Sequence, residues 1–205
     1  MKIVCISDTH GKHHELAPLP AGDMLIYAGD MTVRGTQDQI DNFLAWMAKL
    51  PYQYKILVAG NHDFALEQQP SSIVIPQGIH YLYNEMVELA GLKIWGSPVC
   101  TPYFNWAFMW EQKQRQELYR TIPDDIDIII NHGPALGVLD KTVKFNHAGC
   151  EFLRQRILEI KPKLSVCGHI HESYGQIELS GIVFVNAALL NRSYEIVNAP
   201  IVIEI

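Results

Sequence analysis

A chain of 205 residues, 48% hydrophobic and 19% charged, has enough apolar content to bury a substantial core, which excludes a disordered or low-complexity chain. Its formal net charge of -6 argues against a protein that wraps long nucleic acid, because such proteins need a broad basic face. No apolar run approaches the roughly 20 residues that a helix needs to cross a bilayer, so no membrane association is expected.

The chain starts MKIVCISDTHG, with one lysine and then a short apolar run that ends in polar residues. That pattern lacks the features of a secretory signal, and the cytoplasm is the expected compartment. Ile- and Val-rich runs at residues 2–7, 24–28 and 54–59 end at Asp8, at Gly29 and Asp30, and at Gly60, Asn61 and His62. Runs at 93–96, 126–130 and 164–167 come later, the last two leading into Asn131 and His132 and into Gly168 and His169. These runs show little polar alternation, as in strands covered on both faces. Between them, residues 36–50 place Ile40, Phe43, Leu44, Met47 and Leu50 on one helical stripe. Thr36 and Gln39 have the spacing of a capping box, and Pro51 stops the helix. Residues 110–120 form a more polar helix candidate, and 147–160 a third, with Leu153, Ile157 and Ile160 in step and Pro162 beyond. The closing segments 175–179, 182–186 and 201–205 have no helix between them and read as hairpins. No repeat or linker interrupts the chain, so a single domain over 1–205 is expected. Its class is α/β: a two-sheet β-sandwich with flanking helices and a mainly parallel centre. Cys5, Cys100, Cys150 and Cys167 form no C-x-x-C pair and read as small buried hydrophobes in a reducing compartment.

The informative feature is where the polar residues fall. Asp8-Thr9-His10, Gly29-Asp30, Gly60-Asn61-His62-Asp63, Asn131-His132-Gly133 and Gly168-His169-Ile170-His171 each follow an apolar run directly. Loops after the carboxyl ends of parallel strands converge on one rim, so carboxylate, imidazole and amide groups from five loops would meet in one concave site. Asp8 and His10 are two apart, as are His169 and His171, and in extended chain each pair points to one side. Two such elements can grip metal ions from opposite sides, and Asp30 is the candidate for a shared carboxylate. A lone Asp or His after a strand is usually a turn or cap residue, but here that reading would have to hold in five loops independently.

The series DTH, GD, GNHD, NHG and GHIH, from residue 8 to residue 171, resembles the five-block pattern of the calcineurin-like metallophosphoesterases. The resemblance implies that family's two-sheet fold and two divalent metal ions. One would sit on Asp8, His10, Asp30 and His171, the other on Asp30, Asn61, His132 and His169. LPYQYKILVAGNHD, NHGPALGVLD, GCEFLRQRILEIKPKLSVCGHIHESYG and NAPIVIEI further resemble the branch of brain-239-type metallophosphoesterase-domain proteins. Some members of that branch carry Gly at the first histidine of GHIH, where this chain keeps His169.

The implied chemistry is hydrolysis of a phosphate ester by a hydroxide that bridges cations ~3.5–4 Å apart. His62 resembles the residue that protonates the leaving group, with Asp63 as its orienting partner, and Asn61 and Arg34 are candidates to touch the phosphate. A ligand set of nitrogen and oxygen favours Mn²⁺, with Fe or Zn²⁺ as alternatives. The expected substrate is a small phosphodiester, with a cyclic nucleotide as the branch-level guess. A phosphomonoesterase, a phosphoprotein phosphatase or a nuclease is the enzymatic alternative, and a metal-binding interaction module without catalysis is the other class. Tyr103, Phe104, Trp106, Phe108 and Trp110 read either as a stacking wall for a base or aryl group or as ordinary core. His13 and His14, Asn186, Glu172 and Tyr174 are further candidates near the ligand loops.

Overall fold

The computed structural model describes residues 1–144 and 146–205. In chain order the elements are β1 (Lys2–Ile6), β2 (Met24–Ala28), α1 (Gln37–Ala48), β3 (Tyr54–Val58), α2 (Phe64–Gln68), β4 (Ile79–Tyr81), β5 (Glu85–Leu89) and β6 (Leu92–Ser97). They continue with α3 (Gln112–Arg120), β7 (Ile128–Asn131), α4 (Glu151–Ile160), β8 (Leu164–Cys167), β9 (Gly175–Leu179), β10 (Ile182–Asn186) and β11 (Ile201–Glu204). One sheet has the order β11-β1-β2-β3-β4, the other β5-β6-β7-β8-β10-β9. In each, four neighbouring strands run parallel and the antiparallel members lie at the edges.

The period-2 geometry of a strand explains why these runs are apolar throughout. Ile3 and Cys5 of β1, Met24 and Ile26 of β2 and Ile56 and Val58 of β3 meet Ile94, Ile128, Ile130, Leu164 and Val166 from the other sheet. The alternate residues Val4, Ile6, Leu25, Tyr27 and Leu57 pack outward against Ile40, Phe43, Leu44 and Met47 of α1. On the far side Trp95, Ile129, Ile182 and Phe184 pack against Tyr119 of α3 and Leu153 and Ile157 of α4. The result is the α/β architecture of two mixed sheets between flanking helices.

Three expectations are corrected, and two strands go unread in the sequence. Thr36 makes no side-chain cap; Gln39 instead accepts the backbone N–H of Arg34 at 3.0 Å. Residues 201–205 form no hairpin with their neighbours, because β11 pairs antiparallel with β1 at the far end of the sequence. The short strands β4 and β5 were not legible, since β5 is largely exposed and carries no long apolar run. Finally, α4 begins at Glu151 rather than at 147. Asp140 takes the Gly149 N–H at 3.0 Å and His147 Nδ1 at 2.7 Å, which holds that stretch out of the helix.

Candidate metal centre

The five polar loops come from both sheets: three follow β1, β2 and β3, and two follow β7 and β8. Backbone bonds lace them together at the strand ends. Asp8 N–H donates to Gly29 O at 2.9 Å, His10 N–H to Asp30 O at 3.1 Å, and Gly168 N–H to His132 O at 3.1 Å. Asp8, His10, Asp30 and His169 have φ of 54°, 42°, 58° and 68°, a left-handed conformation that L residues rarely adopt. Such positions cost roughly 1–3 kcal/mol each and persist where surrounding structure imposes them.

Two glycines permit the close approach. A Cβ on Gly60 would lie 2.2 Å from Asp30 Oδ1, and one on Gly168 would lie 2.1 Å from Asp8 Oδ2. Each glycine therefore presses its backbone against a carboxylate from another loop.

The side chains converge. Asp30 Oδ2 lies 3.3 Å from His132 Nε2 and 3.7 Å from His10 Nε2. Asp8 Oδ1 lies 3.3 Å from His171 Nε2 and 3.9 Å from His10 Nε2. His10 Nε2 and His171 Nε2 are 3.2 Å apart, and His132 Nε2 is 3.1 Å from Asn61 Oδ1. The His169 ring lies beside His132, with centroids 5.2 Å apart. Asp8, Asp30 and His132 are fully or almost fully buried, as are His10 and Asn61.

Three of the four imidazoles are oriented from behind. His10 Nδ1–H donates to Thr32 O at 3.1 Å, His132 Nδ1–H to Ala28 O at 2.7 Å, and His171 Nδ1–H to Asn191 O at 3.1 Å. A carbonyl accepts only, so Nδ1 carries the proton and the Nε2 lone pair of each neutral ring faces the centre. The carboxylates are held likewise. Asp30 Oδ1 accepts His62 N–H at 2.7 Å, and Asp8 accepts His169 N–H at 3.1 Å and the Ser7 hydroxyl. Hard carboxylate and amide oxygens with borderline imidazole nitrogens, their lone pairs converging, fit divalent cations.

The electrostatics match that chemistry. Burial opposes the charged form of Asp30, yet the neighbouring His132 holds its carboxyl well below the usual range. Burial likewise opposes Asp8, and His171 outweighs it and lowers the pKa. His132 and His171 are disfavoured as cations by burial, but Asp30 and Asp8 respectively lift each to about 9. Burial and the positive charge on His132 push His169 down to about 4. Without cations, then, protons on two imidazoles offset the carboxylate charge; bound cations would take their place.

His62 lies at the edge of this cluster, its ring edge-on to His10 with centroids 4.6 Å apart. His62 Nδ1–H donates to Val33 O at 3.0 Å, and Trp106 stacks on the ring at 4.3 Å with a 29° tilt. Asp63 does not orient that ring, contrary to expectation. Its carboxylate accepts the backbone N–H groups of Asp30, Met31, Thr32 and Gly60 and the Thr32 hydroxyl, tying the second ligand loop to the third. Burial and the nearby Asp30 charge raise Asp63 to about 6. Arg34 is exposed, and its side chain makes no hydrogen bond or ion pair among the described residues. It is adjacent to Val33, which holds His62.

The aromatic patch divides rather than forming one wall. Phe108 is buried in the core, Trp106 stacks on His62, and Tyr103 and Phe104 are 64% and 76% exposed. His13 and His14 both bond Asn42 Oδ1, at 2.9 and 3.1 Å, and stand away from the centre. Asn186 is buried and ties Ile170 O and Leu139 O. Glu172 accepts Val143 N–H, and Tyr174 donates to Ala199 O, so neither supports an imidazole. Tyr194 was missed: its ring meets those of His10 and His171 edge-on at 4.8 and 5.8 Å. No local pattern marks it, since it stands in a turn after the last ligand loop.

Comparison with known proteins agrees with this geometry. The chain is 35% identical over its full length to human metallophosphoesterase domain-containing protein 1, covering 71% of that protein. It is 31% identical over 98% of its length to UPF0046 protein K07C11.7 of Caenorhabditis elegans, covering 74% of that protein. Among solved structures, phosphopantetheinyl hydrolase from Mycobacterium tuberculosis shares the fold, with a TM-score of 0.61 over 91% of this chain and 88% of that one at 15% identity. The family model described as calcineurin-like phosphoesterase matches residues 1–173, a span that takes in all five ligand loops. The chain therefore belongs to the calcineurin-like phosphoesterase family, which is metal-dependent.

Proposed function

We propose that the chain hydrolyses small phosphodiesters with the help of two divalent cations. The observation that carries this reading is the placement of Asp30. Its Oδ2 lies 3.7 Å from His10 Nε2 and 3.3 Å from His132 Nε2, within reach of a donor to each proposed cation position, so the carboxylate would be shared between them. Asp8, His10 and His171 would complete one position, and Asn61, His132 and His169 the other. Bound there, cations would neutralise phosphoryl oxygens and lower the pKa of a water.

The chain's own residues supply the rest. Asp30 Oδ1 is anchored by His62 N–H, so Oδ2 keeps its aim. His62 has Nδ1–H committed to Val33 O, so Nε2 is the ring nitrogen left to face substrate, and the imidazolium form would give its Nε2 proton to the departing alkoxide. Trp106 limits rotation of that ring by covering one face. Arg34 follows the Gly29-Asp30 loop and is the candidate to touch a phosphate oxygen. The exposed Tyr103 and Phe104 offer apolar surface to an aryl or nucleobase leaving group. The N/O donor set suits Mn²⁺, Fe or Zn²⁺.

The test is hydrolysis of bis(p-nitrophenyl) phosphate against p-nitrophenyl phosphate by cation-loaded protein, beside His62→Ala. Diester preference is expected, with the variant keeping its cations and losing about 10²–10⁴-fold in rate. A clear monoester preference would replace the diesterase reading by a phosphatase. Hydrolysis of neither ester would leave a binding module.

A further inference from the structure

Cys100 lies outside all five ligand loops, yet its side chain reaches the centre. The Cys100 Sγ, a ring nitrogen of His132 and a ring nitrogen of His169 lie within 4.8 Å of one another. Cys100 is 1% exposed and its backbone is pinned: its N–H donates to Phe108 O at 3.0 Å, and Trp110 N–H donates to its carbonyl at 3.3 Å. Gly133, directly after His132, makes the room. A Cβ there would stand 3.2 Å from Sγ, tighter than ordinary contact. The thiol donates to Pro98 O at 3.6 Å, which leaves the sulfur lone pairs unused. The His169 ring makes no hydrogen bond among the described residues, so both groups have donor capacity that the fold does not use.

We propose that Cys100 contributes its sulfur to the cation held by His132 and His169, which makes that position selective for thiophilic ions such as Zn²⁺ or Fe²⁺. The inference rests on the metal-centre reading of the preceding section and refines its choice of ion. Coordination exchanges the thiol S–H for an S–cation bond, and the proton leaves to the buffer. The Asp8, His10 and His171 side carries carboxylate and imidazole donors without sulfur and keeps its fit for a harder ion such as Mn²⁺. The centre would then discriminate between its two positions. Cys5, Cys150 and Cys167 join no such group of donors among the described residues, so the effect should belong to Cys100 alone.

The experiment titrates Co²⁺ into cation-free protein, wild type and Cys100→Ser, and reads bound metal by elemental analysis together with the near-ultraviolet absorbance of a sulfur–cobalt bond. Cys100→Ala serves as a second variant, and circular dichroism checks the fold of both. The expected result is an absorbance band in the wild type that both variants lose while still binding Co²⁺. In Zn²⁺/Mn²⁺ competition the wild-type preference for Zn²⁺ should fall by roughly tenfold in the variants. Two bound Co²⁺ without the band in the wild type, or a band that survives in the variants, overturns the role of Cys100 and leaves the paired-cation reading standing. Failure to bind Co²⁺ at all overturns both.

Discussion

Replacing Gly60 by alanine tests how tightly the backbone holds the shared carboxylate. The added Cβ would lie 2.2 Å from Asp30 Oδ1 and 2.3 Å from Asp30 N, so the two loops must part by at least 0.8 Å to reach 3.0 Å. Neither neighbour is the free end of a long side chain. Asp30 Oδ1 is held by His62 N–H at 2.7 Å and Asp30 N–H by Asp63 Oδ2 at 3.1 Å. Metal sites tolerate ligand displacements of about 0.2 Å. A shift of this size should strip cation affinity and lower phosphodiester turnover by about 10²-fold or more. Overpacking should cost only about 1–3 kcal/mol of stability, so the protein should stay folded. Gly96→Ala is the control: its Cβ would meet Leu82 Cβ at 2.5 Å in the core between the sheets. That variant should lose stability and keep its metal. Bound metal by elemental analysis, diester hydrolysis and urea unfolding separate the two effects. If Gly60→Ala kept a full complement of cations and wild-type turnover, the claim that Asp30 is placed by this contact would be wrong.

Asp63→Ala leaves the buried N–H groups of Asp30, Met31, Thr32 and Gly60 without their acceptor and should destabilise the fold by about 3–5 kcal/mol, seen as an earlier urea midpoint; an unchanged midpoint would refute the anchoring role. His132 and His171, each raised to about 9, must lose a proton to bind a cation. Calorimetry should show affinity rising from pH 7 to pH 9 and levelling above, the competition at pH 7 costing about 3 kcal/mol per imidazole. The same shifts make the cation-free protein most stable below the unfolded histidine pKa of about 6.5, with that contribution lost as pH rises through about 9. Affinity independent of pH would contradict both statements. Trp106→Ala removes the stack on His62, worth about 0.5–1.5 kcal/mol, and should slow turnover by up to about tenfold with cation content unchanged.

Much of the candidate centre was legible because ligand-bearing loops directly follow apolar strands. A run such as 24–28 announces a buried strand by composition, and Gly29-Asp30 marks its end. The stripe of α1 was equally plain, although its capping box was not formed because Gln39 found the Arg34 backbone instead. The role of Asp63 was misjudged for a related reason. Adjacency to His62 in sequence suggested contact, while burial beneath the Gly29-Asp30 loop turned its carboxylate to backbone donors about 30 residues away.

The sequence alone determined the strand and helix runs, the polar residues at their ends, and the donor types those residues offer. All of these are local properties, set by side-chain period and turn chemistry. Only tertiary structure decided that Asp30 stands between His10 and His132, that Cys100 and Tyr194 reach the same centre, and that β11 closes the first sheet. Those outcomes depend on contacts between distant segments, such as His132 Nδ1–H to Ala28 O across 104 positions. Which strands become neighbours is settled by burying both faces of two sheets at once, and no local pattern encodes that order.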